Sequence, residues 1–164
     1  MKKIIIFASV LFFIAAVNAF SFGLGLRAGV IGPDPIFGGG ILISPAAESA
    51  DAHYRTPLHL AASFSMSTGA AFYLGVSADY WIISPELTGF ARGALRFFFG
   101  AGGSISAAPK YFGMAIRVPL GLDFDFEIID LFIEAVPQIG FDFVPKLAFG
   151  SDWINGSIGL RFWF

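Results

Sequence analysis

Residues 111–127 read YFGMAIRVPLGLDFDFE, and the alternation within this stretch decides the fold. The odd-numbered positions hold glycine, alanine, arginine and aspartate, with one tyrosine, one proline and one glutamate. Successive side chains of a β-strand point to opposite faces of the sheet. The stretch is therefore predicted to be one long strand with a wholly apolar face, made of Phe112, Met114, Ile116, Val118, Leu120, Leu122, Phe124 and Phe126.

The same alternation recurs along the chain between breaks rich in glycine, proline, serine and aspartate. Apolar runs bounded by such breaks are typical of β-strands. Eight strands are predicted, over residues 20–30, 37–44, 57–66, 70–83, 89–105, 111–127, 130–143 and 154–164. The expected fold class is all-β, a closed, eight-stranded, antiparallel, up-and-down transmembrane β-barrel that follows a cleaved signal peptide.

The N-terminal residues have the features of a secretory signal peptide. Lys2 and Lys3 precede an apolar run over residues 4–17, and the small-residue site Val17-Asn18-Ala19 follows. This order of charged, apolar and small residues is what a cleavable leader requires. An uncleaved membrane anchor is the alternative, but it needs about 20 apolar residues. We therefore expect a signal peptide over 1–19 and an outer-membrane barrel over 20–164.

The composition excludes several classes of protein. The chain is 56% hydrophobic, whereas a soluble domain is roughly 45–50% apolar. Polar residues beyond Ala19 interrupt every window before about 18 apolar residues accumulate, so helical spans are not expected. The net charge of −2 gives no nucleic-acid footprint. The absence of cysteine removes disulfides and thiolate chemistry.

The character of the polar face indicates which side of the strands lies inside. A soluble barrel, such as a lipocalin, also alternates, but its outward face is rich in lysine and glutamate, and only two lysines follow the leader here. Small residues with scattered arginine and aspartate suit the narrow lumen of an eight-stranded barrel. The apolar face is then expected to contact lipid. β-Bulges are predicted at Pro119 and Pro137, since each proline lacks a ladder donor.

A balanced set of charges falls on the predicted lumen face, and we expect it to form a salt-bridge network in the periplasmic half. Its register places Arg92 opposite Asp125, with Arg96 diagonal to Asp123. An ion or proton path is the functional alternative to a filled polar core. The predicted network comprises Arg27, Asp79, Arg92, Arg96, Arg117, Asp123, Asp125, Glu134, Asp142 and Arg161, with Arg161 diagonal to Glu134.

An even strand count with Phe164 in the periplasm fixes the predicted topology. The connections near 31–36, 67–69, 106–110 and 144–153 then face outside and are short, which leaves little material for recognition. The connections at 45–56, 84–88 and 128–129 face the periplasm. Two aromatic belts are expected at the membrane surfaces, Phe20, Phe22, Phe124, Phe126, Phe162 and Phe164 at one and Phe72, Phe112, Phe141 and Phe143 at the other.

Catalysis is not expected. His59 and Ser63 form the only candidate dyad, but alternation places both on the lumen face and no third group is evident. The sequence holds no metal-ligand cluster, phosphate loop or nucleophile elbow, so no cofactor is predicted.

The closing segment Gly159-Leu160-Arg161-Phe162-Trp163-Phe164 resembles the C-terminal signal of bacterial outer-membrane barrels. In size and strand number the chain is similar to barrels of the OmpA-transmembrane, OmpX and OmpW type. The segments 117–121 and 132–137 resemble a family of small outer-membrane barrels without assigned catalytic residues. This resemblance implies that the barrel-assembly machinery reads Leu160, Phe162 and Phe164.

We expect a monomer in outer-membrane lipid with no nucleic-acid partner and a structural, membrane-integrity role. The alternatives are a narrow channel or carrier for small apolar molecules, and a surface binding module.

Overall fold

The computed structural model describes residues 22–31, 36–45, 57–66, 72–126, 128–144, 147–150 and 154–164. The predicted signal peptide lies outside these residues. The described part of the chain is all-β. Its segments are β1 (Phe22–Ile31), β2 (Ile36–Pro45), β3 (Leu58–Met66), β4 (Phe72–Ile83), β5 (Glu86–Phe90), β6 (Gly93–Ala108), β7 (Tyr111–Arg117), β8 (Leu120–Phe126), β9 (Ile129–Val144), β10 (Ala148–Gly150) and β11 (Ile154–Trp163).

The segments close into an antiparallel ring. Starting at β1, the order is β2, β3, β4, β6, then β7 with β8, then β9, and finally β11, which pairs again with β1. β5 continues the line of β4, β8 continues β7, and β11 continues β10, so the wall has eight strands. A closed ring has no free edge to recruit another sheet. The predicted eight-stranded antiparallel barrel is confirmed.

The two ends of the barrel differ in their turns. We call the end that holds Phe164 and the Ala91-Arg92 turn the lower end. The upper end holds the Pro109-Lys110 turn between β6 and β7. Both ends are defined by the structure alone, without reference to a membrane.

The predicted connection at 84–88 is wrong, because β5 continues the wall through most of it. The pairing of β4 with β6 shifts between Trp81 and Ile83, so one strand carries an extra residue there. The backbone N–H of Phe97 then donates to the carbonyl of Pro85 at 3.1 Å, which carries pairing past the proline. The turn forms only after β5.

The two prolines of the wall interrupt the backbone hydrogen bonding between neighbouring strands. β7 and β8 flank a gap at Val118-Pro119, yet their pairing with β9 keeps one register across that gap. Val118 donates to the carbonyl of Pro137 at 2.9 Å, and Gly100 donates to that of Pro119 at 2.8 Å. The carbonyl of each proline therefore accepts a backbone hydrogen bond, but proline has no N–H to donate one in return. The β-bulge predicted at Pro119 is wrong. At Pro137 the pairing of β9 with β7 and β8 is regular, but on its other side the register of β9 differs by one residue between β10 and β11.

The outward face of the barrel is apolar over its height. Large side chains that are more than half exposed include Leu26, Leu74, Ile116 and Ile139. Exposed phenylalanines lie near both ends, Phe90, Phe126, Phe162 and Phe164 at the lower end and Phe72, Phe112, Phe143 and Phe149 at the upper end. Of the predicted belts, Phe124 and Phe141 are half-buried, and the side chains of Phe20 and Phe22 lie outside the described set.

The described residues form no helix that is long and apolar enough to span a membrane.

Lys110 is strained in its turn. It has a φ of 68°, a backbone region that costs an L-residue about 1–2 kcal/mol. Pro109 before it suits position i+1 of a type II turn, whose next position favours glycine. We expect Lys110→Gly to raise the free energy of unfolding by about 0.5–1 kcal/mol, measured by urea unfolding in detergent micelles. Lys110→Ala is the control for the lost charge, and equal stabilisation by both variants would contradict the assignment to strain.

Candidate functional site: the layered barrel interior

The barrel interior has three layers along its axis, each with its own chemistry. The lowest layer, here called the plug, is built from Trp81, Phe98, Phe132, Asp130 and Arg161. Above it lies an ion-pair layer, made of Arg27, Asp79, Arg117 and Glu134. The upper part holds a cavity of about 340 Å³, here called the cup.

The plug is closed by stacked aromatic rings. The rings of Trp81 and Phe98 are nearly parallel, with centroids 3.9 Å apart and an interplanar angle of 4°. Phe98 is fully buried and packs with Leu42, Ala61 and Phe132 in the buried apolar cluster. These side chains come from five different strands and meet at the barrel axis. Apolar contact of this kind excludes water from the lower interior.

Arg161 sits in an aromatic cage within the plug. Its guanidinium carbon lies 5.5 Å from the Trp81 ring centroid, 5.3 Å from that of Phe132 and 5.4 Å from that of Trp163. Only 2% of Arg161 is exposed. Cations at such distances from ring faces are attracted by the ring quadrupole, and more strongly when water is excluded.

Asp130 supplies the opposite charge. It is fully buried, lies directly opposite Arg161 in the register of β9 and β11, and faces Arg161 Nη1 through Oδ2 at 3.4 Å. The indole N–H of Trp163 donates to the same oxygen at 2.5 Å. The missing side chain of Gly159 makes this packing possible, because a Cβ there would collide with the Phe132 ring.

The ion-pair layer ties the wall together through the interior. Arg27 Nη1 lies 3.5 Å from Glu134 Oε1, which also accepts a hydrogen bond from Ser157 at 2.6 Å. Arg117 Nε lies 3.1 Å from Asp79 Oδ1. All four charged side chains are at most 12% exposed. The layer is neutral, since two guanidiniums face two carboxylates.

The cup lies in the upper half of the barrel and has a lining of mixed polar and apolar residues. Glycine and serine make up much of its wall, with Arg27 and Arg117 among its lining residues. Tyr73 and Tyr111 meet edge to face with ring centroids 5.4 Å apart. The Tyr111 hydroxyl donates to Asp142 Oδ1 at 2.8 Å, and Gln138 and Asn155 add amide groups.

The structure distributes the predicted network over the whole interior. Arg27, Asp79, Arg117 and Glu134 form the ion-pair layer, Arg161 lies in the plug, and Asp142 lines the cup. Asp123 and Asp125 are buried at the height of the plug, opposite Phe132 and Asp130. Arg96 lies at the lower end. Its Nη2 is 3.4 Å from Glu86 Oε2, and its Nε is 3.8 Å from Asp125 Oδ2. Arg92 occupies the lower turn and is exposed, so it stands outside the interior set.

The predicted pairings depend on register, and the register differs. Ala94 rather than Arg92 lies opposite Asp125, and Arg96 is directly opposite Asp123 instead of diagonal to it. Arg161 lies directly opposite Asp130, while Ser157 lies opposite Glu134, so Arg161 is not diagonal to Glu134. Glu134 and Asp123 nevertheless interact with the charge of Arg161.

Sequence reasoning missed most of the plug. Trp81 and Phe132 have the same alternation parity as Asp79 and Glu134, so parity alone indicates that they point inward. Trp81 and Phe132 were not predicted as site residues, because the predicted network contained only charged residues.

The candidate dyad is not assembled. His59 is buried, and its Nδ1 lies 2.8 Å from Ser44 Oγ, while Ser63 donates to the carbonyl of Gly75. Four residues along one strand separate two side chains by about 13 Å. Among the described residues, no group of three potential ligands is placed to hold a metal ion.

The C-terminal strand alternates as predicted. Leu160, Phe162 and Phe164 are exposed on the outward face, and Arg161 between them is buried.

Comparisons with known proteins agree with this architecture. The crystal structure of Neisserial surface protein A aligns with a TM-score of 0.53 over 88% of this chain and 97% of that chain, at 14% sequence identity. Likeness at this identity concerns the fold alone. No protein-family model and no curated protein sequence matches the chain. The eight-stranded barrel implied by the sequence resemblance is confirmed.

Proposed function

We propose that this chain is a non-enzymatic, integral barrel of the bacterial outer membrane with a sealed lumen and a structural role in the envelope. The single observation that carries the proposal is the reversal of the usual pattern of a soluble protein. The large apolar side chains point outward, while Asp130 and Arg161 are buried at the centre. Such an arrangement is stable when the surrounding solvent is lipid.

The sealed lumen follows from the plug and the ion-pair layer together. A hydrated ion needs a continuous water path, and the stacked rings of Trp81 and Phe98 leave none in the lower half. Above them, the arginines of the ion-pair layer are held by carboxylates instead of facing a channel. An eight-stranded barrel is narrow enough for side chains to fill.

The proposal includes export and assembly. A leader over 1–19 would direct the chain across the inner membrane. The outward pattern of Leu160, Phe162 and Phe164 would then be the segment that the barrel-assembly machinery reads. With the lower end in the periplasm, the cup faces outside the cell.

A narrow channel or a carrier for small apolar molecules is the competing function. The cup is lined by charged groups such as Arg27 and Glu134 beside apolar residues such as Val76 and Met114, and an apolar solute would desolvate these charges without forming hydrogen bonds to them. A soluble barrel would have to keep side chains such as Ile116 and Leu26 in water.

Planar-bilayer recording tests the sealed lumen. We expect purified, refolded mature protein to give no discrete conductance steps, because the plug blocks the axis. Heat-modifiable migration on gels and dependence on detergent for solubility are expected alongside, and both report the folded membrane barrel. Steps from the unmodified protein would overturn the sealed lumen, and stable solubility without detergent would overturn the membrane location.

A further inference from the structure

We propose that the cup is a binding site for one sugar ring, a small, neutral, hydroxyl-rich ligand. The cavity of about 340 Å³ lies at the small end of the roughly 300–1,000 Å³ of known ligand pockets. That size suits a monosaccharide unit. This inference goes beyond the sealed barrel, because a plugged lumen has no need of an organised cup above the plug.

The charges of the floor favour a neutral ligand. Arg27 is already paired with Glu134, and Arg117 with Asp79, at 3.5 and 3.1 Å. An anionic ligand would lose hydration on entry without gaining an unpaired cation from this floor. A neutral ligand loses less hydration free energy, and its hydroxyl groups exchange hydrogen bonds to water for hydrogen bonds to the wall.

The wall offers the groups that recognise a sugar. Tyr73 and Tyr111 present aromatic surface, against which the C–H face of a sugar ring packs. Asp142 is fixed by the hydroxyl of Tyr111 at 2.8 Å. A carboxylate accepts several hydrogen bonds, and those it accepts from ligand hydroxyls are charge-assisted. Gln138 adds an amide, which both donates and accepts.

Small residues keep the cup open where larger ones would fill it. A Cβ added to Gly75 would lie 3.1 Å from Ser63 Oγ and 3.3 Å from the Ile105 carbonyl, so the wall is already close-packed behind the cup. Ser104 and Ser106 line the same side from β6. Substituting either serine by a large side chain therefore offers a direct way to occupy the cavity.

Titration of the refolded mature protein with monosaccharides tests the proposal. The probes are glucose, galactose and N-acetylglucosamine, followed by saturation-transfer NMR and calorimetry in a phosphocholine detergent, since detergents with sugar head groups would compete. We expect a Kd on the order of a millimolar for at least one sugar, as suits a ligand of about a dozen non-hydrogen atoms. The ligand could come from two sources, a free sugar or the terminal residue of a glycan, and methyl glycosides distinguish them. Equal binding of the glycoside indicates the terminal residue of a glycan, and loss of binding indicates a free sugar.

Three variants locate the site. Asp142→Asn is expected to weaken binding about tenfold, because the charge-assisted bonds are lost. Ser106→Phe should abolish saturable binding by filling the cup, and Ser104→Phe serves if that variant does not fold. Phe112→Ala, whose ring points outward beside Tyr111, should bind like the unmodified protein.

Several results would overturn the proposal. They are the absence of saturable binding for every sugar, competition by ethanolamine at the same site, and unchanged binding by the filled variants. Heat-modifiable migration confirms folding of each variant. Conductance is measured separately, so a failure of sugar binding leaves the sealed lumen standing or falling on its own result.

Discussion

Asp130→Ala is expected to lower the free energy of unfolding by about 3 kcal/mol, because it removes the carboxylate directly opposite the buried guanidinium of Arg161. Asp123 and Glu134 also attract this guanidinium, which keeps the loss at the low end for a broken buried pair. The carboxylate is fully buried, and it also accepts the indole N–H of Trp163. Neither the carboxylate of Asp130 nor the guanidinium of Arg161 can reach solvent, because both are buried in the plug. The measurement is urea or guanidinium unfolding in detergent micelles, followed by tryptophan fluorescence.

Two further variants separate charge from packing. The double variant Asp130→Leu with Arg161→Met removes both charges and should recover part of the loss, as replacement of buried pairs by apolar residues often does. Recovery is incomplete because Asp123 and Glu134 then lose the attraction of Arg161. Arg92→Ala deletes an exposed arginine in the lower turn and should change stability by less than about 0.5 kcal/mol. Unchanged unfolding of Asp130→Ala would show that the buried pair contributes nothing.

Phe98→Ala combined with Phe132→Ala is expected to turn the silent barrel into a conducting one. Both rings are buried in the plug, and deleting a buried phenylalanine side chain costs about 3–5 kcal/mol and leaves a cavity. At the axis of the barrel that cavity would connect the lower end to the ion-pair layer, which is polar enough to hold water. Planar-bilayer recording should then show discrete steps.

A matched control lies one residue away. Phe99 follows Phe98 in β6 but points outward, so Phe99→Ala removes the same group from the outward face and should leave the bilayer silent. The single variants serve if the double variant does not refold. Continued silence of the folded double variant would show that the plug is not the seal and that the ion-pair layer closes the barrel by itself.

The faces of the strands could be predicted from sequence because alternation is local. The inward position of Arg161 and the outward positions of Leu160 and Phe162 follow from parity alone. Hydrophobicity is less informative where the sequence does not alternate. Residues 97–99 are three consecutive phenylalanines, so hydrophobicity alone does not select the inward ring. The shared parity of Phe98 with Arg96, together with the pairing of Phe98 with Gly121, determines that Phe98 enters the plug.

Partners across strands were harder to predict, since they depend on the exact turns. Pro85 looks like the end of a strand, but a shift in pairing beside Trp81 lets β5 continue and moves the turn to residues 91–92. This displacement takes Arg92 out of the interior. In the same way, the pairing of Arg161 with Asp130 depends on the register of β9 with β11, which no local pattern encodes.

The two prolines also bear on how the barrel resists being pulled apart. Pro119 and Pro137 lie side by side in adjacent strands, so β6, β8 and β9 share fewer backbone hydrogen bonds at one height than elsewhere in the described wall. The Arg117–Asp79 ion pair starts at that height and reaches past β6 to β4. This ion pair links β7 to β4 through the interior, at the height where the described wall has fewer backbone hydrogen bonds. The charges of the ion-pair layer therefore stabilise the wall of the barrel in addition to closing its lumen.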